Sequence, residues 1–439
     1  LIVPTPRLAG LVAGGAALVA AGYALGAGTG VLLLVNAVLL GASVVELSLL
    51  PRRRSFTVLR DLPERADRGE PFAVRIRVEL RQGSGAAARL RVTARDDLPG
   101  SFTGHGQPMP LTWQGQRGEA IYTTAGTERG DYLFSRISLR LGGPLGLWIK
   151  PLQAEVAHTL CIYPDMSAVR GILGSLPQQM TLEGKRLYRR DTAGSEFHSI
   201  RDYVDGDDPR RINWRATARA GSPMSDVVRP ERGKVVMLLL DCGRTMGMEL
   251  SGRNKLDVAL EALLALAAVA LKQGDKVGFI AYSSEIKRHV PPGAGIRQLA
   301  AITDAAYNLS ADFVEASRVQ ALDYLLRTER KRSLIVLFSD IHPDLQETQF
   351  LPMLSRLKRQ HYLLLLGMRD ETVHELALAR SSTVSEAYAK SLAHKSLLDR
   401  QAYTAAMAAA GIAAIDVAVG ELAWTAVNRY LQIKARDAL

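Results

Sequence analysis

Two aspartates close apolar runs in the second half of the chain, and no other residues are better placed for chemistry. Asp241 ends "KVVMLLLD", and Asp340 ends "SLIVLFSD", directly after Ser339. Runs this apolar are typical of strands buried on both faces of a parallel sheet. Such sheets bind ligands beyond the carboxyl ends of their strands, where the strand order reverses. In the order 3-2-1-4-5 the first and fourth strands are neighbours at that point. Asp241 and Asp340 would then share one crevice, and Thr245, four residues after Asp241, can turn back to it. Two carboxylates and a hydroxyl form a hard-oxygen set, and Mg2+ is the cation that prefers one. The same aspartates also read as caps of the turns or helices that follow. Cys242 beside the crevice reads as a packed thiol or a reactive one. The chain has no GxxxxGK[ST] loop, no GxGxxG after a strand, no HExxH and no GxSxG, so the commonest phosphate, zinc and serine-hydrolase signatures are absent.

A second concentration of chemistry precedes the first of these runs. "FHSIRDYVDGDDPRRINWRATARAG", residues 197–221, sets four Asp and five Arg around Phe197, Tyr203 and Trp214. "GDDP" is turn chemistry: Gly206 permits a positive φ, Asp207 and Asp208 can cap backbone N–H groups, and Pro209 fixes its own φ. "RRINWRATAR" then has helical spacing. Phe197 and Trp214 read as buried anchors, beside which Arg201, Arg211, Arg215 and Arg219 would meet Asp202, Asp205, Asp207 and Asp208. Arginine suits this because its planar fork gives a carboxylate two hydrogen bonds. Two readings stay open: a structural ion-pair latch folded over the following sheet or its rim, or a surface that grips a partner or an anion. Arg201, Asp202, Asp207, Asp208, Arg210, Arg211, Asn213, Trp214 and Arg219 are the candidate residues of either.

The elements that must position these residues follow from hydrophobic period. After Pro230, apolar runs alternate with helical stretches. Strands are expected at 235–240, 277–281, 334–338, 362–366 and 412–419, with a short edge strand at 286–290. Helices are expected at 255–272, 296–308, 315–327, 351–359, 385–410 and 421–434. This pattern predicts a doubly wound α/β domain over residues 232–439. Between residues 56 and 163 the period is two. "FAVRIRVEL" points Phe72, Val74, Ile76, Val78 and Leu80 one way and Arg75, Arg77 and Glu79 the other. "RLRVTAR" and "SRISLRL" repeat it, with turn signals at 83–85, 99–100 and 142–144. Residues 55–163 therefore predict an antiparallel β-sandwich of immunoglobulin-like size, and 164–231 a connecting segment. Its Arg-rich solvent faces read either as edge protection or as contact with anionic lipid.

The first fifty residues are different material. Two apolar runs, 8–25 and 31–50, are separated by "GAGTG". Each is about the length that a helix needs to cross the hydrocarbon core. Residues 1–50 thus predict a transmembrane α-hairpin; a signal peptide followed by an anchor is the alternative. Glu46 is expected to reach the headgroup region and Asn36 to bond the neighbouring helix. "PRRR" follows the second run, and positive residues stay on the cytoplasmic side, so the remainder is expected in the cytoplasm. The chain opens on Leu1, and its true start is expected upstream.

Composition narrows the class. A length of 439 residues, 47% hydrophobic, allows two or three domains with sizeable cores. The formal net charge of +11 suits acidic partners, but it is dispersed, so nucleic acid is not expected. Cys161 and Cys242, far apart, supply neither a disulfide framework nor zinc spacing.

Resemblance adds to this. "DCGRTMG" resembles the DxSxS motif that opens the metal-ion-dependent adhesion site of von Willebrand factor A domains, and "SLIVLFSD" resembles the strand that supplies that site's later aspartate. "EFHSIRDYVDGDDPRRINWRATARAG" and "GPLGLW" resemble the signatures of the domain of unknown function 58 family, whose layout the whole chain shares. The resemblance implies a multidomain protein: membrane hairpin, β domain, signature, then a von Willebrand A-like domain. It implies Asp241, Thr245 and Asp340 as metal ligands and Mg2+ as the cofactor. Gly243 stands where the motif has its first Ser, and Thr303, Ser310 and Asp312 are the candidates for its middle threonine. It implies no enzymatic activity, a multi-pass place in the bacterial cytoplasmic membrane, and a MoxR-type AAA+ ATPase as partner.

The function expected is a membrane-anchored adaptor that binds a protein through its A-like domain, alongside membrane lipid. The alternative is a Mg2+-dependent hydrolase using Asp241 and Asp340, with His342 as the nearest base. Partner identity and oligomeric state are not legible.

Overall fold

The computed structural model describes residues 2–436 apart from 51–55, 81–89, 105, 168, 175–195, 206, 230–232, 251 and 342–346. The basic run at 51–54, the turn at 83–85, Gly206 and His342 fall outside them. The chain divides into two compact units, Leu1–Tyr163 and Pro164–Leu439.

The first unit begins with β1 (Val3–Pro4), α1 (Pro6–Ala24) and α2 (Gly28–Leu49). Thr5 caps α1 by accepting the Leu8 N–H, and proline sits at its first position, where a missing N–H costs nothing. Both helices are long and apolar enough to cross a membrane. They pack through small residues: a Cβ on Gly15 would lie 2.8 Å from Val35, and one on Gly22 2.9 Å from Val31. Asn36 does not bond the neighbouring helix. Its amide donates to the Leu32 carbonyl at 3.0 Å, the acceptor one turn back toward which a helical side chain leans.

Nine further strands follow among the described residues of this unit. β2 (Phe56–Asp61), β3 (Arg65–Asp67), β4 (Phe72–Leu80), β5 (Arg91–Asp96) and β6 (Met109–Pro110) precede β7 (Thr112–Gln114), β8 (Arg117–Thr124), β9 (Gly130–Gly142) and β10 (Trp148–Tyr163). They form two sheets, β1-β10-β9-β5-β6 with β3 paired to β10, and β2-β4-β8-β7. Ile76, Val78 and Ala120 of one meet Val92, Ala94, Ile137, Leu139 and Leu141 of the other in a single core.

The turn between β9 and β10 carries "GPLGLW", and it joins the helices to the sheet. Glu46, in the last turn of α2, is fully buried. Its side chain turns inward onto the β9–β10 turn. One carboxylate oxygen accepts the Gly146 N–H at 2.8 Å and the other the Leu147 N–H at 2.9 Å. From the other helix, Thr5 donates its hydroxyl to the Gly146 carbonyl at 2.6 Å and its N–H to the Leu147 carbonyl at 2.9 Å. A buried carboxylate must be satisfied, and two backbone donors aimed by a tight turn do this. Gly143 makes room: a Cβ there would lie 2.3 Å from a Glu46 oxygen.

The second unit starts with a helical stretch that buries Val169 and Ile172 in its core; a hairpin follows, β11 (Glu196–Asp202) and β12 (Met224–Arg229), enclosing α3 (Trp214–Ala220). Its six-stranded sheet is built from β13 (Val235–Asp241), β16 (Lys276–Tyr282), β17 (Ile286–Gly293), β18 (Ser333–Phe338), β19 (Tyr362–Arg369) and β20 (Ala413–Ala418); β14 (Glu249–Leu250) and β15 (Arg253–Asn254) form a small separate pair. The order is β17-β16-β13-β18-β19-β20, parallel except for the antiparallel edge β17. The helices are α4 (Lys255–Lys272), α5 (Ile296–Ala306), α6 (Arg318–Thr328), α7 (Glu347–Gln360), α8 (Glu371–Leu378), α9 (Val384–Ala409) and α10 (Leu422–Ala435). Val236, Leu238 and Leu240 of β13 face α4, α5 and α10, while Met237 and Leu239 face α6, α7 and α9. Helices therefore cover both faces, which is why the strands read as continuous apolar runs. The short α8 lies outside the sequence expectations; its signal was Asp370, which caps it by accepting the Thr372 N–H.

Substituting Gly143→Ala is expected to destabilise the first unit by about 2 kcal/mol through overpacking against Glu46. Melting of the detergent-solubilised chain checks this. Gly41→Ala, where nothing lies within 4 Å, is the control and should leave melting unchanged.

Candidate functional site

β13 and β18 are direct neighbours, with Leu240 opposite Phe338. Asp241 and the Ser339-Asp340 pair therefore emerge side by side at the carboxyl edge of the sheet. Both aspartates are almost fully buried. One Asp241 oxygen accepts the Gly243 N–H at 2.8 Å, and the other accepts the Ser339 hydroxyl at 2.5 Å. Burial pushes the Asp241 carboxyl above its ordinary range, against the pull of these two bonds and of nearby Arg318.

Asp340 is held differently. Lys255 Nζ donates to one of its oxygens at 2.8 Å and Arg400 to the other at 3.1 Å. Burial alone would raise the Asp340 carboxyl, but the two cations overcome it and hold the group below its ordinary range. Arg400 also forks onto Asp416 at 2.8 and 3.0 Å and donates to the Met368 carbonyl. Arg318 donates to the Asp340 carbonyl at 2.8 Å and the Ser339 hydroxyl at 3.2 Å. Three carboxylates thus face three cations, and the network carries no surplus negative charge.

This donor set does not fit Mg2+. The ion needs open oxygen lone pairs and net negative charge, whereas all four carboxylate oxygens of Asp241 and Asp340 already accept hydrogen bonds, two of them from cations. A metal would have to displace the Lys255 ammonium. Among the described residues no cluster of three or more His, Cys, Asp or Glu is arranged to hold one. Thr245 sits half-buried in a short 3-10 turn, Arg244–Gly247, with no hydrogen bond to either aspartate among the described residues.

A loop roofs the crevice and explains Gly243. Arg244 N–H bonds the Val314 carbonyl, and Asp312 N–H bonds the Cys242 carbonyl. A Cβ on Gly243 would lie 2.8 Å from Ala316 Cβ and 2.9 Å from its backbone nitrogen, so a serine there has no room. Asp312 turns away from the aspartates, accepting from Ser283 and Lys287 at 2.7 Å each. Ser310 contributes its carbonyl to Lys287, and the Thr303 hydroxyl bonds back within α5. None of the three supplies a third hydroxyl to the crevice. Phe313, at the tip of the loop, is 99% exposed and Val314 45%. Cys242 is fully buried.

The charged hairpin is closed mainly by caps. Arg201 pairs with Asp207 at 2.7 Å, and the second Asp207 oxygen accepts the Val204 N–H. Asp208 accepts the Arg210 N–H, and Asn213 caps α3 while donating to Asp226 at 2.8 Å. Asp202, Arg210 and Arg219 are exposed, and no ion pair joins them among the described residues. Trp214 is 72% exposed, contrary to its expected role as a buried anchor. A short helix over a two-stranded ribbon has too little surface to cover an indole. The side chain of Phe197 lies outside the described set.

Lys255, Arg318, Arg400 and Asp416 were not singled out from the sequence. Lys255 carried one signal. A lysine in the first turn of a helix opposes the helix dipole, so it calls for an anionic partner elsewhere.

Residues 199–410 match the model of a family described as "Protein of unknown function DUF58". Uncharacterized proteins of Mycobacterium bovis and Mycobacterium tuberculosis are 26% identical over 202 residues, 44% of this chain and 61% of theirs. The chain thus spans under two thirds of these relatives. The uncharacterized protein YeaD of Bacillus subtilis is 28% identical over 120 residues, 27% of this chain and 30% of its own length. Among solved structures, the conserved hypothetical protein BatB from Bacteroides thetaiotaomicron aligns with 46% of this chain and 100% of its own, at 11% identity and a TM-score of 0.32.

The two aspartates are expected to respond oppositely to pH. The depressed Asp340 stabilises the fold fully above its ordinary value of about 4, and that contribution is lost as pH falls through its lower folded value. The raised Asp241 costs stability as pH climbs above that value. Asp340→Asn leaves Lys255 under-compensated and is expected to cost about 3 kcal/mol at pH 7, while Asp241→Asn costs much less. Melting curves between pH 3 and 8 check both the ranking and the loss of the acid limb in Asp340→Asn.

Proposed function

We propose that this protein is a membrane-anchored adaptor. It carries a β-sandwich and a von Willebrand A-like domain, and it docks a protein partner on the carboxyl edge of the six-stranded sheet. The observation that carries this is the loop held by backbone bonds to Cys242 and Arg244 beside the Asp241–Asp340 crevice, which presents an almost fully exposed phenylalanine. An exposed aromatic on a preorganised support is the kind of anchor that dominates protein interfaces. The carboxylates beneath it are bonded internally, which suits a support and leaves no group free to activate water. That counts against the hydrolase alternative, which needs open ligands for metal and nucleophile.

The two N-terminal helices serve as the anchor, and the arginines at 52–54 that follow the second favour the cytoplasmic side for the rest of the chain. A MoxR-type AAA+ ATPase is the partner that the signature's resemblance points to. The chain has no nucleotide loop of its own, so energy would come from that partner. In this reading Lys255 and Arg400 take the place of the adhesion-site metal, and docking does not depend on a divalent cation.

The test is capture of the MoxR-type ATPase of the same organism by the tagged full chain. Phe313→Ser is expected to lower capture at least about tenfold, the weight of a central aromatic anchor, with unchanged melting. Chelator is expected to leave capture unaltered. Equal capture by the serine variant would sink the docking face; loss with chelator would restore the metal.

A further inference from the structure

Outside the crevice, the β unit holds a cavity of about 350 Å³ on the solvent face of its larger sheet. Its basic walls are Arg95, Arg136 and Arg140, with Ser138 and Gln153 between them. Strand register puts them together: Thr93 pairs with Arg140, and Arg95 pairs with Ser138. Arg136, Ser138 and Arg140 alternate on one face of β9, and Ile137, Leu139 and Leu141 fill the core on the other.

The three guanidinium groups have no carboxylate of their own. No ion pair holds any of them among the described residues. Asp96 lines the same cavity, but it is buried and committed elsewhere. Arg60 forks onto it at 2.5 and 3.1 Å, and the Tyr122 hydroxyl donates to it at 2.6 Å. Asp97, also in the lining, and Glu155, opposite Arg136 on β10, are exposed carboxylates without an ion pair to the arginines. Positive charge is therefore in excess in a concave site, where field lines concentrate.

We infer that this cavity binds a phosphate-bearing anion through Arg95, Arg136 and Arg140, and that its source is the headgroup of an anionic phospholipid. Guanidinium forks match phosphate oxygens in pairs, which three lysines would not do. The lipid source rests on the membrane-anchor reading and on where the cavity sits. Arg140 is two residues from Gly142, where β9 enters the turn that grips Glu46 at the end of α2. At strand rise this is about 7 Å along β9, and Arg136 is about 20 Å. Headgroup regions extend about 5–8 Å beyond the hydrocarbon on each side, so Arg140 at the near wall stands at headgroup depth and makes the first contact, while Arg95, opposite Ser138, and Arg136 stand on its aqueous side. Arg7 and Arg91 flank the same turn beside Gly146 and continue the basic track to the helix ends.

The test uses the full chain in a non-ionic detergent. Native mass spectrometry reads retained phosphatidylglycerol and phosphatidylcholine, and calorimetry reads inorganic pyrophosphate. The triple variant Arg95→Gln, Arg136→Gln, Arg140→Gln is compared with the wild type; Arg140→Gln alone is the fallback if the triple variant melts early. Phosphatidylglycerol retention is expected to fall at least about tenfold in the triple variant, the loss of one or two charge-assisted bonds, with phosphatidylcholine indifferent. Pyrophosphate binding that is lost in the variant, with lipid retention unchanged, keeps the phosphate site and overturns the lipid source. No difference between variant and wild type for either ligand overturns the site. Carbonate extraction of native membranes judges the anchor separately, so its failure and the cavity's failure stay distinct.

Discussion

The α/β unit depends on one buried carboxylate finding its cations. Asp340 ends a central strand at a depth where an ionised side chain alone would cost several kcal/mol. Lys255, at the start of α4, and Arg400, in the middle of α9, come from opposite faces of the sheet to meet it. The pairing ties the helices of both layers to the strand edge. It also occupies both carboxylate oxygens of Asp340 with cationic donors. Such a network fixes geometry more than it adds net stability, since desolvation offsets much of the Coulomb attraction.

The same device recurs at the other end of the chain with a different partner. Glu46 is buried against backbone N–H groups instead of cations. This works because a glycine-rich turn can aim two donors at one carboxylate, and because Gly143 leaves the space. In each case a carboxylate that composition would place at the surface serves as a joint between elements. Arg60 in the β core is the cationic counterpart: its donors are shared among Asp96 and the carbonyls of Phe134, Arg136 and Val156. At Asp340, Glu46 and Arg60 every carboxylate oxygen or guanidinium nitrogen has a hydrogen-bond partner, whereas one oxygen of the buried Asp275 has none among the described residues.

The exposed features divide from these joints. Phe313 stands on a loop held by backbone bonds at Asp312 and Val314, and Trp214 stands on a hairpin closed by caps. Arg95, Arg136 and Arg140 line a cavity whose nearest buried carboxylate is already taken. Where an aromatic or a charge has no internal partner on a well-held support, contact with another molecule is its natural use.

Local pattern by itself determined the strands and most helices. The runs ending at Asp241 and Phe338, and the alternation in "FAVRIRVEL", are direct imprints of burial on two faces or on one. It also determined that Asp241 and Asp340 would share an edge, because strand order in such sheets follows from few rules. It did not determine what those carboxylates meet. Lys255 and Arg400 lie 85 and 60 residues from Asp340, and no periodicity links a charge to a partner on another element. Nor did it show that Trp214 stays exposed or that Glu46 turns inward, since both depend on how much neighbouring surface is available. Hydrophobic period is a property of one segment, whereas charge pairing belongs to the space between segments, and only the folded chain defines that space.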